Sequence, residues 1–123
     1  MDYKTKFNFE TRKTEVLNIT AKYPDRIPII VEKLYTSKAP IIDKNKYLVP
    51  FDITVGQFIF VIRKRMKLRA EEGLYLFING NIPASSEMLI NTYEKNKDLD
   101  GYLYIKYSSE NTFGFFDKFF MLK

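Results

Sequence analysis

The stretch TVGQFIFVIRKR, Thr54 to Arg65, constrains the fold of this chain more than any other. Thr54 is followed three residues later by Gln57, a capping box in which each side chain satisfies a backbone N–H of the other residue. Val55, Phe58, Ile59, Ile62 and Met66 then follow the i, i+3, i+4, i+7 recurrence of one buried helix face. Arg63, Lys64 and Arg65 fall at the C-terminal end, where cations suit the helix dipole. Phe60 and Val61 lie off this stripe and need a second cover.

Strand signals flank this helix. Ile27 to Lys33, IPIIVEK, is rich in β-branched residues and predicts a buried strand. Lys46 to Pro50, KYLVP, predicts a short strand whose closing proline suits a sheet edge. Residues 34–45 between them read as a polar connection. Leu74 to Ile78, LYLFI, predicts a third strand, followed by the turn dipeptide Asn79-Gly80. Ser85, Ser86 and Glu87 predict the opening of a last helix that runs to about Asn96. Asp100-Gly101 is a further turn, and Tyr102 to Tyr107, YLYIKY, a fourth strand.

Upstream, Phe9, Val16, Ile19 and Tyr23 approximate helical spacing, and Pro24-Asp25 stops that pattern. One or two short N-terminal helices are predicted. The order is helix, helix, strand, strand, helix, strand, helix, strand. It predicts an α+β grasp, a sheet wrapped around one helix.

Composition narrows the function. A chain of 123 residues suits one domain, and 46% hydrophobic content suffices for one core. The absence of cysteine removes a disulfide framework, a thiol nucleophile and a Cys-based zinc site. The absence of histidine removes the commonest general base and metal ligand. Both absences weigh against an enzyme, and neither a catalytic residue nor a metal ligand is expected. The net charge of +5 favours acidic partners, anionic lipid or nucleic acid, and names none of them. RKRMKLR, residues 63–69, lacks the interleaved aromatics of a nucleic-acid stacking platform. It reads as a polar helix end first and a patch for an acidic partner such as tubulin second, so no nucleic acid is expected. No run approaches the ~18 apolar residues of a membrane span. MDYKTKFNFE lacks an apolar signal core, so a cytoplasmic location is expected.

KYPDRIPIIVEK (22–33), DKNKYLVPFDITVGQFIFVIRKRMKLRAEE (43–72) and YLYIKYSSENTFG (102–114) resemble the autophagy-related ubiquitin-like proteins. These are the GABA-receptor-associated protein and microtubule-associated light chain three types. The likeness runs from about residue 2 to Gly114. It implies a ubiquitin-like β-grasp, a four-stranded mixed sheet around a helix with two extra N-terminal helices. It also implies three segments: an N-terminal helical extension over 1–24, a ubiquitin-like domain over 25–114, and a precursor tail over 115–123.

The resemblance implies no catalysis by the protein itself. A partner cysteine protease is expected to cut the Gly114–Phe115 bond, beside Phe113 in ENTFG. Activating and conjugating enzymes then pass the Gly114 carboxylate to phosphatidylethanolamine, which places the protein on autophagosome and other vesicle membranes. No cofactor is implied beyond that covalent lipid. Glycine suits the cleavage point because a backbone without Cβ passes through a narrow enzyme channel.

A second implied function is docking of adaptor or receptor peptides of the form aromatic-x-x-aliphatic, which add as a strand to Lys46–Pro50. The first pocket would use Glu15, Ile19, Pro28, Ile30, Lys46, Leu48 and Tyr102. The second would use Tyr47, Val49, Pro50, Ile53, Phe58, Val61 and Ile62. Arg26 and Arg65 would meet acids flanking the peptide, and Phe60 would pack below with the N-terminal helices. Most of these apolar residues read singly as core. Thr92, where an aliphatic residue is usual, is expected to loosen the last helix, and Phe51 adds exposed apolar surface. The alternative is a non-lipidated peptide-binding adaptor in vesicle trafficking or microtubule association. FFDKFFMLK, residues 115–123, reads as a disposable tail, and its Phe119-x-x-Leu122 spacing matches the motif the chain's own groove should bind.

Overall fold

The computed structural model describes residues 2–110. Phe113, Gly114, the Gly114–Phe115 bond and the tail 115–123 lie outside the described residues. The element order is α1 Tyr3–Lys6, α2 Phe9–Lys22, β1 Arg26–Lys33, β2 Lys46–Pro50, α3 Val55–Met66, β3 Tyr75–Phe77, α4 Leu89–Asn96 and β4 Leu103–Ser108. The strands form one mixed sheet in the order β2-β1-β4-β3. Strand β1 runs antiparallel to β2 and parallel to β4, while β3 is antiparallel to β4. The expected helix–strand order and mixed four-stranded sheet are the observed ones.

Side-chain alternation along the strands divides the interior in two. On one face Ile27, Ile29, Val31, Tyr47, Val49, Leu103 and Ile105 pack with Val55, Phe58 and Ile62 of α3 and Leu89 of α4. On the opposite face Ile30 and Tyr102 pack with Tyr3 of α1 and Val16 of α2. The sheet is thus covered on both sides, with α3 and the N-terminal helices on opposite faces.

Local chemistry explains several boundaries. Thr54 Oγ1 accepts from Gln57 N at 3.1 Å, and Thr54 N donates to Gln57 Oε1 at 2.8 Å, so the capping box forms. Asn79 and Gly80 both have positive φ, 50° and 80°. They close a two-residue turn in which Ile78 and Asn81 exchange two backbone hydrogen bonds. Pro50 ends β2 at the sheet edge, where a missing N–H breaks no ladder.

Four expectations need correction. Ser85, Ser86 and Glu87 do not cap the last helix. Its N-cap is Met88, which makes no side-chain capping bond. Glu87 instead accepts from Thr92 Oγ1 and from Lys95 Nζ, the latter at 2.9 Å. Thr92 is buried by this bond, a polar partner in place of apolar packing. The 34–45 connection is not merely polar. Ser37, Ala39 and Ile42 are buried, and Tyr107 Oη donates to Pro40 O at 2.7 Å while accepting from Ile42 N at 2.8 Å. Phe60 does not pack with the N-terminal helices. It is 61% exposed, because α3 lies across the sheet from them.

Candidate functional site

Among the described residues strand β2 pairs with β1 alone, so its outer side carries unpaired backbone groups beside two distinct surfaces. Lys46, Leu48 and Pro50 alternate with Tyr47 and Val49 and therefore face opposite sides of the sheet.

The first surface joins β1, β2 and α2. The register sets Ile30 opposite Lys46 and Pro28 opposite Leu48. Ile30 and Tyr102 are fully buried, Pro28 is buried, and Ile19, Leu48 and Lys46 are half-buried. Glu15 of α2 is the polar centre. One of its oxygens accepts from the hydroxyls of both Tyr3 and Tyr102, and the other accepts from Lys46 Nζ at 2.9 Å. Burial opposes charge on Glu15. The Tyr102 and Tyr3 hydroxyls and the Lys46 ammonium outweigh it and hold the carboxyl below its ordinary range. Burial likewise opposes charge on Lys46, and Glu15 and Tyr3 more than compensate, raising its pKa. Burial, together with these hydrogen bonds, keeps the Tyr102 hydroxyl protonated well above the ordinary phenol range.

The second surface lies between β2 and α3. Tyr47, Leu48, Val49 and Val61 border a recess of about 460 Å³, rimmed by Lys44, Lys64 and Arg65. Val61 is 41% exposed and Pro50 is exposed, while Ile53 is half-buried. Phe58 and Ile62 have no exposed surface. They do not line a surface pocket; they form the core that supports it. Ile30 and Tyr102 hold the same supporting position in the first set.

Arg65 is engaged by a forked hydrogen bond to Asp43, at 2.8 and 3.2 Å, and holds that carboxyl below its usual range. Arg26 lies opposite Pro50 at the other end of the edge, with its guanidinium carbon 5.8 Å from the Tyr23 ring centre. The structure thus brings both apolar sets to one strand, but at Arg65 an acid would compete with Asp43. Three contributors escaped the sequence reading. Lys44 and Lys64 stack over Tyr47 and Phe60, and Tyr3 reaches Glu15 from α1. Lys64 was visible only as part of a basic run, and nothing in the N-terminal pattern singles out Tyr3.

The family profile described as "Autophagy protein Atg8 ubiquitin like" matches residues 11–114. The chain is 55% identical to autophagy-related protein 8e of Arabidopsis thaliana over 112 residues, 91% of this chain and 92% of that protein. It is 54% identical to autophagy-related protein 8 of Schizosaccharomyces pombe, over 91% and 93% of the two chains. Its fold superposes on the crystal structure of Trypanosoma brucei ATG8 with a TM-score of 0.85 at 44% identity, covering 89% of this chain and 95% of that one. Plasmodium falciparum Atg8, solved in complex with a Plasmodium falciparum Atg3 peptide, superposes with a TM-score of 0.83 at 38% identity, over 90% and 98%. A ubiquitin-like sheet covered by two N-terminal helices, and relatives of this closeness along nearly the whole chain, lead to one conclusion: the protein belongs to the Atg8 family of autophagy-related ubiquitin-like proteins.

Proposed function

We propose that this chain is a modifier without catalysis of its own, cleaved after Gly114 and joined through that carboxylate to phosphatidylethanolamine. On autophagosome and other vesicle membranes it recruits adaptors through aromatic-x-x-aliphatic peptides. The observation that carries the peptide half is the free edge of β2 between two apolar surfaces. An extended peptide gains main-chain hydrogen bonds along β2 and directs alternate side chains to the two sides. Its aliphatic anchor meets Leu48, Val49 and Val61. Its aromatic anchor settles against Ile19, Lys46 and Leu48, over the floor that Ile30 and Tyr102 form. The Plasmodium falciparum protein in complex with an Atg3 peptide supports a conjugating-enzyme segment as one such ligand.

The lipid half rests on family membership and on ENTFG. An amide to a two-chain lipid anchors firmly, since each buried CH₂ contributes about 0.8 kcal/mol and one chain alone holds weakly. Mass spectrometry of the cellular protein tests this half. A form ending at Gly114, free and as the phosphatidylethanolamine amide, is expected. Detection of the full-length chain only, with membrane association intact in Gly114→Ala, would overturn it.

A further inference from the structure

We propose that the phenylalanine-rich segment 115–123 folds back, within one molecule, onto the recess beside the 34–45 loop. That recess measures about 720 Å³ and lies where β1 and β4 end together. Leu34, Tyr35 and Ile41 supply its open apolar wall, over a floor of buried Val31, Ile42 and Tyr107. Tyr35 is 90% exposed and Ile41 81% exposed, which leaves two large apolar side chains of the recess open to water. Its ionic groups are engaged: Lys106 pairs with Glu32 at 3.0 Å, Asp43 with Arg65 at 2.8 Å, Asp2 accepts from Thr5 N at 2.8 Å, and Lys33 Nζ donates to Ser37 O at 2.7 Å. A segment dominated by aromatic and aliphatic side chains suits such a wall.

The exit of the chain selects the occupant. Tyr107 is both part of the recess floor and the penultimate residue of β4. Leu34 N donates to Tyr107 O at 2.8 Å, and Ser109 N donates to Ser37 Oγ at 3.2 Å. The chain therefore leaves the sheet within the same loop that builds the recess. Residues 111–114 span up to about 13 Å when extended, enough for a return. FFDKFFMLK then brings four phenylalanines, a methionine and a leucine, with Asp117 and Lys118 between the two phenylalanine pairs.

The groove at the β2 edge is the rival seat, because Phe119-x-x-Leu122 fits its motif. Thirteen residues after Glu110 extend to roughly 45 Å, so both seats are within reach. The recess at the exit closes the shorter loop, and closure entropy grows with loop length. Docking needs no cleavage. Only its release by cutting after Gly114 rests on the function proposed above.

The chain contains no cysteine, so Lys123→Cys places a single spin label at the far end of the segment. Isotope-labelled protein of 123 residues is expected to lose amide signal at Leu34, Tyr35, Ile41 and Ile42. The loss should vanish in Tyr35→Asp/Ile41→Asp, whose two side chains are too exposed to threaten the fold. Broadening at Leu48 and Val61 instead, broadening confined to residues beside Glu110, or broadening that survives the double substitution overturns the proposal. So does equal broadening when label and isotope sit on different molecules, which identifies a second copy as the host. Because the ends of these chains are set by expression, a negative result leaves cleavage at Gly114 untouched, and the cellular mass spectrum judges that reading separately.

Discussion

Arg12 Nη1 donates to the Oδ2 of Asp100, eighty-eight residues away, and ties α2 to the turn that enters β4. The Asp100 side chain is wholly buried and that of Arg12 is 10% exposed. Asp100 also accepts from Tyr102 N at 2.8 Å and from Tyr104 Oη at 2.5 Å. Removing one partner of a buried pair strands the other charge, which costs about 3–5 kcal/mol. Arg12→Met is therefore expected to destabilise strongly, and Arg12→Met/Asp100→Asn by less than the sum of the single changes. Urea unfolding of the four proteins measures the coupling. Additive losses would show that the two residues act independently.

Glu15 ties α1, α2, β2 and the residue before β4 together through Tyr3, Lys46 and Tyr102. Glu15→Gln is expected to lower stability at neutral pH by about 1–2 kcal/mol, reduced from a buried pair's value because the site is partly solvated. The pH dependence has a definite sign. The folded carboxyl titrates below its ordinary 4.5, so its contribution is complete above that value and disappears as pH falls through the lower folded value. Unfolding curves of the wild type and Glu15→Gln should converge in that acid range. A gap unchanged to acid pH would mean the ionised form of Glu15 contributes nothing.

Tyr47 carries a buried hydroxyl with no hydrogen-bond partner among the described residues, and burial pushes its pKa up to about 12. An unsatisfied buried hydroxyl costs about 1–3 kcal/mol. Tyr47→Phe keeps the edge-to-face contact with Phe58, at 5.7 Å between ring centres, and removes that penalty. The midpoint of thermal unfolding is expected to rise, by an amount equivalent to about 1 kcal/mol. A fall of similar size would reveal a partner for the hydroxyl.

Val61 and Phe60 are neighbours on α3, yet Val61 borders the β2 recess and Phe60 does not. Val61→Asp is expected to weaken binding of an aromatic-x-x-aliphatic peptide by tenfold or more, since it places a charge against the aliphatic anchor. Phe60→Asp is expected to leave affinity within about twofold, since neither substitution empties the core. Calorimetric titration of one peptide against both variants measures this. Equal effects would move the docking site away from the recess.

The primary structure alone determined the elements whose causes are local. Thr54 and Gln57 cap each other within one helical turn, Asn79-Gly80 supplies two adjacent positive φ values, and Pro50 terminates an edge strand. These features depend on neighbours a few residues apart. Together with the long runs of family-like sequence, they were enough to specify the element order, the mixed sheet and the strand that offers a free edge.

Only the tertiary structure decided which side of the sheet each surface faces. The sequence places Phe60 with the N-terminal helices, but α3 and α2 pack on opposite faces of the sheet, which leaves Phe60 in water. Ser85, Ser86 and Glu87 had the composition of a cap, yet Glu87 is drawn to Thr92 and Lys95, so the helix begins after Met88. Arg12–Asp100 and Tyr3–Glu15–Tyr102 join positions far apart in the chain, which no local periodicity encodes. Likewise the same pattern that marked Phe58 and Ile62 as apolar could not separate floor from wall. Burial is a property of the assembled layers: the closed sheet and helix leave Phe58 and Ile62 no surface, and leave Val61 and Leu48 at the border of the recess.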